Sequence, residues 1–266
     1  MKLSDANALL EPGYTTLESG YCRLEDGQLQ VAAWTTMLGC KGKMVEWWFG
    51  FLRTTEQYKW WHPKDHLWCE WIGERGTGRF IGGTHHVHEY IGGELQKLKI
   101  NFRDPGDYLD VSRFRSAGIS AAVCARVGAL DAPVWSGHLI HLCRDTAHGC
   151  EMRSRFWLGD FDPPELAPSR EARIALFPDR VGEGLLKHCH EEMSYLAGFL
   201  PALHAREAGS TTAFMAEHSQ AAPESEHPLQ CACCGAPSPC RCDQAGKCGE
   251  CGWCRDHCRC FRSTGR

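Results

Sequence analysis

LLKHCHEEMSYLAGFLP, residues 185–201, has the period of a helix with one apolar face. Leu185, Cys189, Met193, Leu196 and Leu200 recur at steps of three and four residues, and Pro201 is expected to close the run. His188 and Glu192 stand one turn apart and leave the same side of that helix. An imidazole and a carboxylate so placed form half of a divalent-metal site, and the same pair is also a common solvated helix pair.

Upstream of this helix the texture is that of strands. Gly27 to Trp34 suits a short strand, and THHVHEYIGGELQKLKINF (84–102) alternates like two paired strands around Gly92-Gly93. On the first of these, His86, His88 and Tyr90 share one face; His85, Val87, Glu89 and Ile91 share the other. Strand-like runs return at 119–127, 134–143 and 150–158, the last two joined by the turn RDTAHG. Residues 43–53, KMVEWWFGFLR, fit a strand or a buried helix equally well. Four prolines between 160 and 179 mark a loop leading to the helix, which is expected to run from Val181 to near Ala208. Strands followed by one long helix predict an α+β domain, an antiparallel sheet packed on that helix.

The chain has 266 residues, 43% of them hydrophobic, with ten Trp, enough to fill a substantial core. A net charge of −4 supplies no general pull toward nucleic acid or anionic membrane. MKLSDANALLEPGY lacks the apolar run of a signal peptide and no 18-residue apolar stretch could span a bilayer, so a soluble cytoplasmic protein is expected.

Three segments follow from composition: a domain over 1–208, a polar flexible linker over 209–230, and a cysteine-rich module over 231–260. Ten of the 17 cysteines lie in that module: Cys231, Cys233, Cys234, Cys240, Cys242, Cys248, Cys251, Cys254, Cys258 and Cys260. Their C-x-C and C-x-x-C spacings predict thiolate-bound Zn2+. Cys248, Cys251, Cys254 and Cys258 also match the spacing of an iron–sulfur cluster, with Arg259 where proline normally follows. His257 could replace one thiolate, and a disulfide-stapled tail is the remaining alternative. A protein partner for the tail and a homodimer are both open.

For the helix pair to complete a metal site, other elements must converge on it. The candidates are His62, which Pro63 places at a chain bend, and Glu89. Each has a plain alternative, a histidine in an aromatic wall and a strand carboxylate on a solvated face. His85, His86 and His88 compete as ligands.

Beyond these residues, EWWFGFL, YKWWHPKDH, HEYIGG with LKINF, RDTAHGCEMRSRFW and HCHEEMSYLAGFLP together resemble the 2,4-diacetylphloroglucinol and phloretin hydrolases. The resemblance covers about residues 40 to 201. It implies a helix-grip (Bet v 1-like, START-like) fold holding one zinc by His62, Glu89, His188 and Glu192, with Glu94 as the alternative to Glu89. It also places Asp65 where family sites carry an amide or carboxylate, and an Asp in place of an Asn would alter hydrogen bonding to substrate. The implied reaction is hydrolysis of the C–C bond between an acyl group and a polyhydroxylated ring, with a small acylated phenol as substrate. Candidate proton donors are Tyr58, Asp65 and His141. The competing function is a non-catalytic carrier of an aromatic ligand with a metal-binding tail.

Overall fold

Eight strands form one antiparallel sheet in the computed structural model, which describes residues 1–73 and 79–219. They are β1 (Gly20–Arg23), β2 (Leu29–Leu38), β3 (His66–Ile72), β4 (Thr84–Ile91), β5 (Glu94–Arg103), β6 (Ile119–Ala129), β7 (Trp135–Thr146) and β8 (Gly149–Asp162). Their spatial order is β1-β2-β8-β7-β6-β5-β4-β3. Met1–Ser210 forms one compact unit. The α+β class is as expected. No helix of the described residues is long and apolar enough to cross a membrane.

Strand alternation divides the sheet into two faces. On β8, Met152 and Phe156 enter the main core while Trp157 joins a second core with Leu9, Leu10, Ile140 and Leu142. That second core is capped by the 3-10 turn Leu3–Leu10. The main core lies under the long helix α5 (Asp179–Ser219), whose Leu185, Cys189, Met193, Leu196, Leu200 and Leu203 are buried in it. Between these come α1 (Gly42–Phe51), α2 (Thr55–Trp61), α3 (Phe114–Ala117) and α4 (Arg170–Leu176).

The ambiguous run 43–53 is helix α1. Val45, Trp48 and Phe49 are buried in it and Leu52 just past its end, the i, i+3, i+4, i+7 pattern, and Trp48 meets Phe199 of α5 edge-on at 5.4 Å. The proline-rich segment before α5 is not all loop, because α4 forms there with Ser169 capping the Ala172 amide.

Two expectations about the long helix are corrected. Pro201 does not close it; the helix passes through. A proline cannot donate to the carbonyl four residues back. Here that carbonyl, on Ala197, instead faces the Cys40 thiol, which donates to it across 3.9 Å. Nor does the helix stop near Ala208, since it continues to Ser219. Residues 209–219, taken from composition as part of a flexible linker, include Ala213, Met215, Ala216 and Glu217, all strong helix formers. The rest of the expected linker, and all ten tail cysteines from Cys231 to Cys260, lie outside the described residues.

Candidate metal centre

A capping box starts the segment that supplies the first histidines. Thr54 accepts from the Gln57 amide and the Gln57 side chain accepts from the Thr54 amide, which fixes α2. The helix ends at His62, whose backbone is extended (φ −140°, ψ 91°) as its position before Pro63 demands. The chain then turns tightly: the His66 amide donates to the His62 carbonyl at 3.0 Å, and β3 begins at His66. Both histidines are thereby buried against α5.

His66 groups with Glu89 and His188, and His62 forms a second group with Asp65 and His188, the donor atoms in each lying within 4.8 Å of one another. The His66 Nε2 lies 3.6 Å from Glu89 Oε2 and 3.7 Å from Glu192 Oε2, while His188 Nε2 lies 3.9 Å from Glu89 Oε2. In a tetrahedral zinc site with N and O ligands, donor atoms are separated by about 3.4 Å. These spacings are too long for hydrogen bonds; the donor atoms of His66, Glu89 and His188 all lie within 4.8 Å of one another, and Glu192 approaches the group at His66.

The hydrogen bonds behind the rings set which nitrogen is free. His66 Nδ1 lies 2.9 Å from the Tyr58 carbonyl, which only accepts, so Nδ1 carries the proton and Nε2 keeps its lone pair. His188 Nδ1 faces the Asp65 carboxylate at 3.3 Å with the same consequence. His62 is the reverse case. Its Nδ1 accepts from the Asp65 amide at 3.1 Å, so the proton sits on Nε2, between Asp65 (3.4 Å) and Glu191 (3.5 Å).

Glu89 and Glu192 are both buried. Glu89 accepts a short hydrogen bond from the Tyr58 hydroxyl, whose ring stacks on His66 at 3.7 Å between centroids. Burial, aided by Glu89, drives the Tyr58 phenol well above its ordinary range. Burial also raises the Glu192 carboxyl to about 8 and, with His188, drops the His66 imidazole to about 2. On His188 burial acts downward, but Glu89, Glu192 and Asp65 outweigh it and raise the group. The two buried carboxyl groups thus meet one imidazole held neutral and one drawn toward its charged form, and a divalent cation would supply the counter-charge in full. The donor set fits zinc.

The structure brings Glu89, His188 and Glu192 together and leaves Glu94 exposed at the start of β5. Asp65 Oδ2 lies 3.3 Å from His188 Nδ1 and 3.4 Å from His62 Nε2. His141 is buried on the cavity wall, its Nδ1 2.8 Å from Ser154 Oγ and its basicity pushed down to about 4 by burial. His86 and His88 lie on the other face of β4, and His85 lines the cavity. The signal for His66 was the four-residue step from His62 to His66 beside Pro63.

Above the cluster is a cavity of about 60 Å³ walled by Phe49, Tyr58, Trp61, Phe102, His85 and His141. Glu89, Ile100, Leu139, Phe156 and Leu185 line both this cavity and a wider groove of about 450 Å³. The groove runs out between the sheet and the start of α5, past Phe177 and Val181.

The sequence model of one protein family, described as "DAPG hydrolase PhiG domain", matches residues 1–205. A 2,4-diacetylphloroglucinol hydrolase of Pseudomonas protegens is 29% identical over 231 residues, covering 79% of this chain and 75% of that protein. A phloretin hydrolase of Eubacterium ramulus is 28% identical over 194 residues, covering 68% and 69%. Among solved structures, protein Ms6760 of Mycobacterium smegmatis superposes with a TM-score of 0.41 at 12% identity, covering 70% of this chain and 99% of that one.

Proposed function

The chain belongs to the DAPG hydrolase PhiG domain family and is a hydrolase acting on carbon–carbon bonds, and on that premise we propose that it removes an acyl group from a polyhydroxylated aromatic ring with the help of one zinc ion. His66, Glu89, His188 and Glu192 are its proposed ligands. One observation carries the reading: two imidazole lone pairs and two buried carboxylates converge at the floor of an aromatic-walled cavity. A carrier of aromatic ligands has no need of such a set. The arrangement of long helix over curved sheet is read as a helix grip.

Zinc in this setting would polarise the acyl carbonyl and lower the pKa of water to about 7. Water adds to the acyl carbon, the carbon–carbon bond breaks with its electron pair going to the ring, and the ring carbon takes a proton. The products are a carboxylic acid and the free phenol. Tyr58 positions Glu89 by donating to it, and Asp65 positions His188. His141, held at Nδ1 by Ser154, keeps Nε2 for moving a proton at the ring. Its depressed basicity keeps it neutral near pH 7.

The aliphatic groove suits the acyl part of the substrate and the smaller aromatic cavity suits the ring. The cysteines of 231–260 are proposed as a second, thiolate-rich metal module.

The test is the pair His66→Ala and His62→Ala in the full chain, with zinc content and hydrolysis of an acetylated phloroglucinol measured together. His66→Ala should lose one zinc equivalent and the activity, and His62→Ala should keep the zinc. The reverse result would return the ligand role to His62.

A further inference from the structure

His85 occupies the far end of the inner cavity. It shares the inward face of β4 with Glu89, four residues away, about 13 Å between Cα atoms along a strand. It is 2% exposed, and among the described residues its Nε2 has no hydrogen-bond partner. Its ring is fixed edge-on to Trp71 at 4.1 Å and to Phe102 at 5.4 Å between centroids. A buried polar atom left without a partner costs about 1–3 kcal/mol, and a ligand that pairs with it recovers that cost.

The cavity between Glu89 and His85 has room for about four water molecules, the scale of one benzene ring and not of two. Its walls are the rings of Phe49, Trp61 and Phe102, which suit the faces and edges of a flat ligand. A ring seated there with its acyl carbon at the Glu89 end turns its opposite edge toward His85.

Resting on the reading of function above, we propose that His85 Nε2 hydrogen-bonds the ring hydroxyl opposite the acyl group and so selects acylphenols that carry one. The imidazole suits either polarity of that bond, because a phenol both donates and accepts. Burial pushes the basicity of His85 down to about 3, which keeps the ring neutral and leaves the phenol unionised at this end. Selection of this kind acts by rejection: an analogue without the hydroxyl leaves Nε2 buried and unpaired.

The experiment compares acetophenones carrying hydroxyls at both ortho positions and at the para position with the analogue lacking only the para hydroxyl. The ratio of their kcat/KM values is measured for the full chain, His85→Phe and His85→Gln. Comparing ratios cancels the intrinsic difference in reactivity of the two rings. His85→Phe should shrink the ratio by about tenfold to hundredfold, the worth of one buried hydrogen bond, and His85→Gln should restore most of it. A ratio unchanged within about twofold in His85→Phe, at the scale of independent sites, would overturn the proposal and leave His85 as packing.

Binding of phloroglucinol and of resorcinol to the same three proteins, measured by calorimetry, is independent of turnover. If the full chain cleaves neither ketone, the reading of function fails, and the binding ratio still decides His85: a preference for phloroglucinol lost in His85→Phe supports it, and a preference unchanged overturns it.

Discussion

Two clusters of buried charge lie on opposite faces of the same sheet, and they are built on opposite principles. On the outer face Glu18 receives bonds from Arg153 at 2.7 Å and 3.0 Å and from Arg155 at 2.6 Å, with both arginines at 1% exposure or less. Arg153 also caps the Leu9 carbonyl. Arg153 and Arg155 share this one carboxylate, which gives both a counter-charge inside the protein. On the inner face Glu89 and Glu192 have the imidazoles of His66 and His188 for company and, among the described residues, no arginine or lysine paired with them. The first cluster holds the N-terminal segment to the sheet. The second is costly as it stands, and a cost of that kind is kept where a cation or substrate recovers it.

Glu192→Gln should separate the two most sharply. The amide keeps the shape and removes a ligand charge, so the full chain should lose one equivalent of zinc. Acylphenol hydrolysis should fall by more than about a hundredfold, beyond the usual loss from removing an outer-shell partner. The metal-free fold should not weaken, because a buried carboxylate has been neutralised. Retained zinc with full activity would place the centre elsewhere.

Arg153→Met should do the reverse. Breaking a buried ion pair costs about 3–5 kcal/mol, and with Arg155 still on Glu18 the lower end, about 3 kcal/mol, is expected in urea unfolding. The hydrolytic rate of the folded fraction should hold within about twofold, as for independent sites. A loss of activity without a loss of stability would link the faces and break the comparison.

The two clusters were unequally legible in the sequence. The inner one was half visible, because His188 and Glu192 share a helix face and Glu89 falls on the inward side of an alternating strand. Periodicity also placed the sheet and the long helix. His62 was named from the sequence and His66 passed over, since the difference between them rests on which nitrogen meets a backbone carbonyl and which meets an amide after the turn at Pro63. Nor could periodicity carry the helix past Pro201, where the relief comes from Cys40, a residue remote in the chain. The outer cluster was invisible: Glu18 reaches Arg153 and Arg155 across a separation of 135 and 137 residues, and no local pattern encodes that.

The smallest effect expected is the response of the outer cluster to acid. Burial pushes the Glu18 carboxyl upward, but hydrogen bonds from Arg153, Thr15 and Arg155 outweigh it and hold the group at about 2. In the unfolded chain a glutamate titrates near about 4.3. A carboxyl depressed on folding contributes stability that is fully present above the unfolded value and lost as pH falls toward the folded one. Glu18 therefore stabilises the fold at neutral pH, and that contribution fades between about pH 4.3 and pH 2. Solvent reaches part of the cluster, so the contribution is on the order of 1 kcal/mol. The check is urea unfolding of the full chain and of Glu18→Gln from about pH 7 down to pH 3, the window over which the unfolded carboxyl takes up its proton. Other carboxylates titrate equally in both proteins, so the difference between the two curves isolates Glu18. That difference should be level at neutral pH and narrow below about pH 4.3. A difference that stays level throughout would mean the carboxylate is not held low by its arginines, and the outer cluster would not carry its own counter-charge after all.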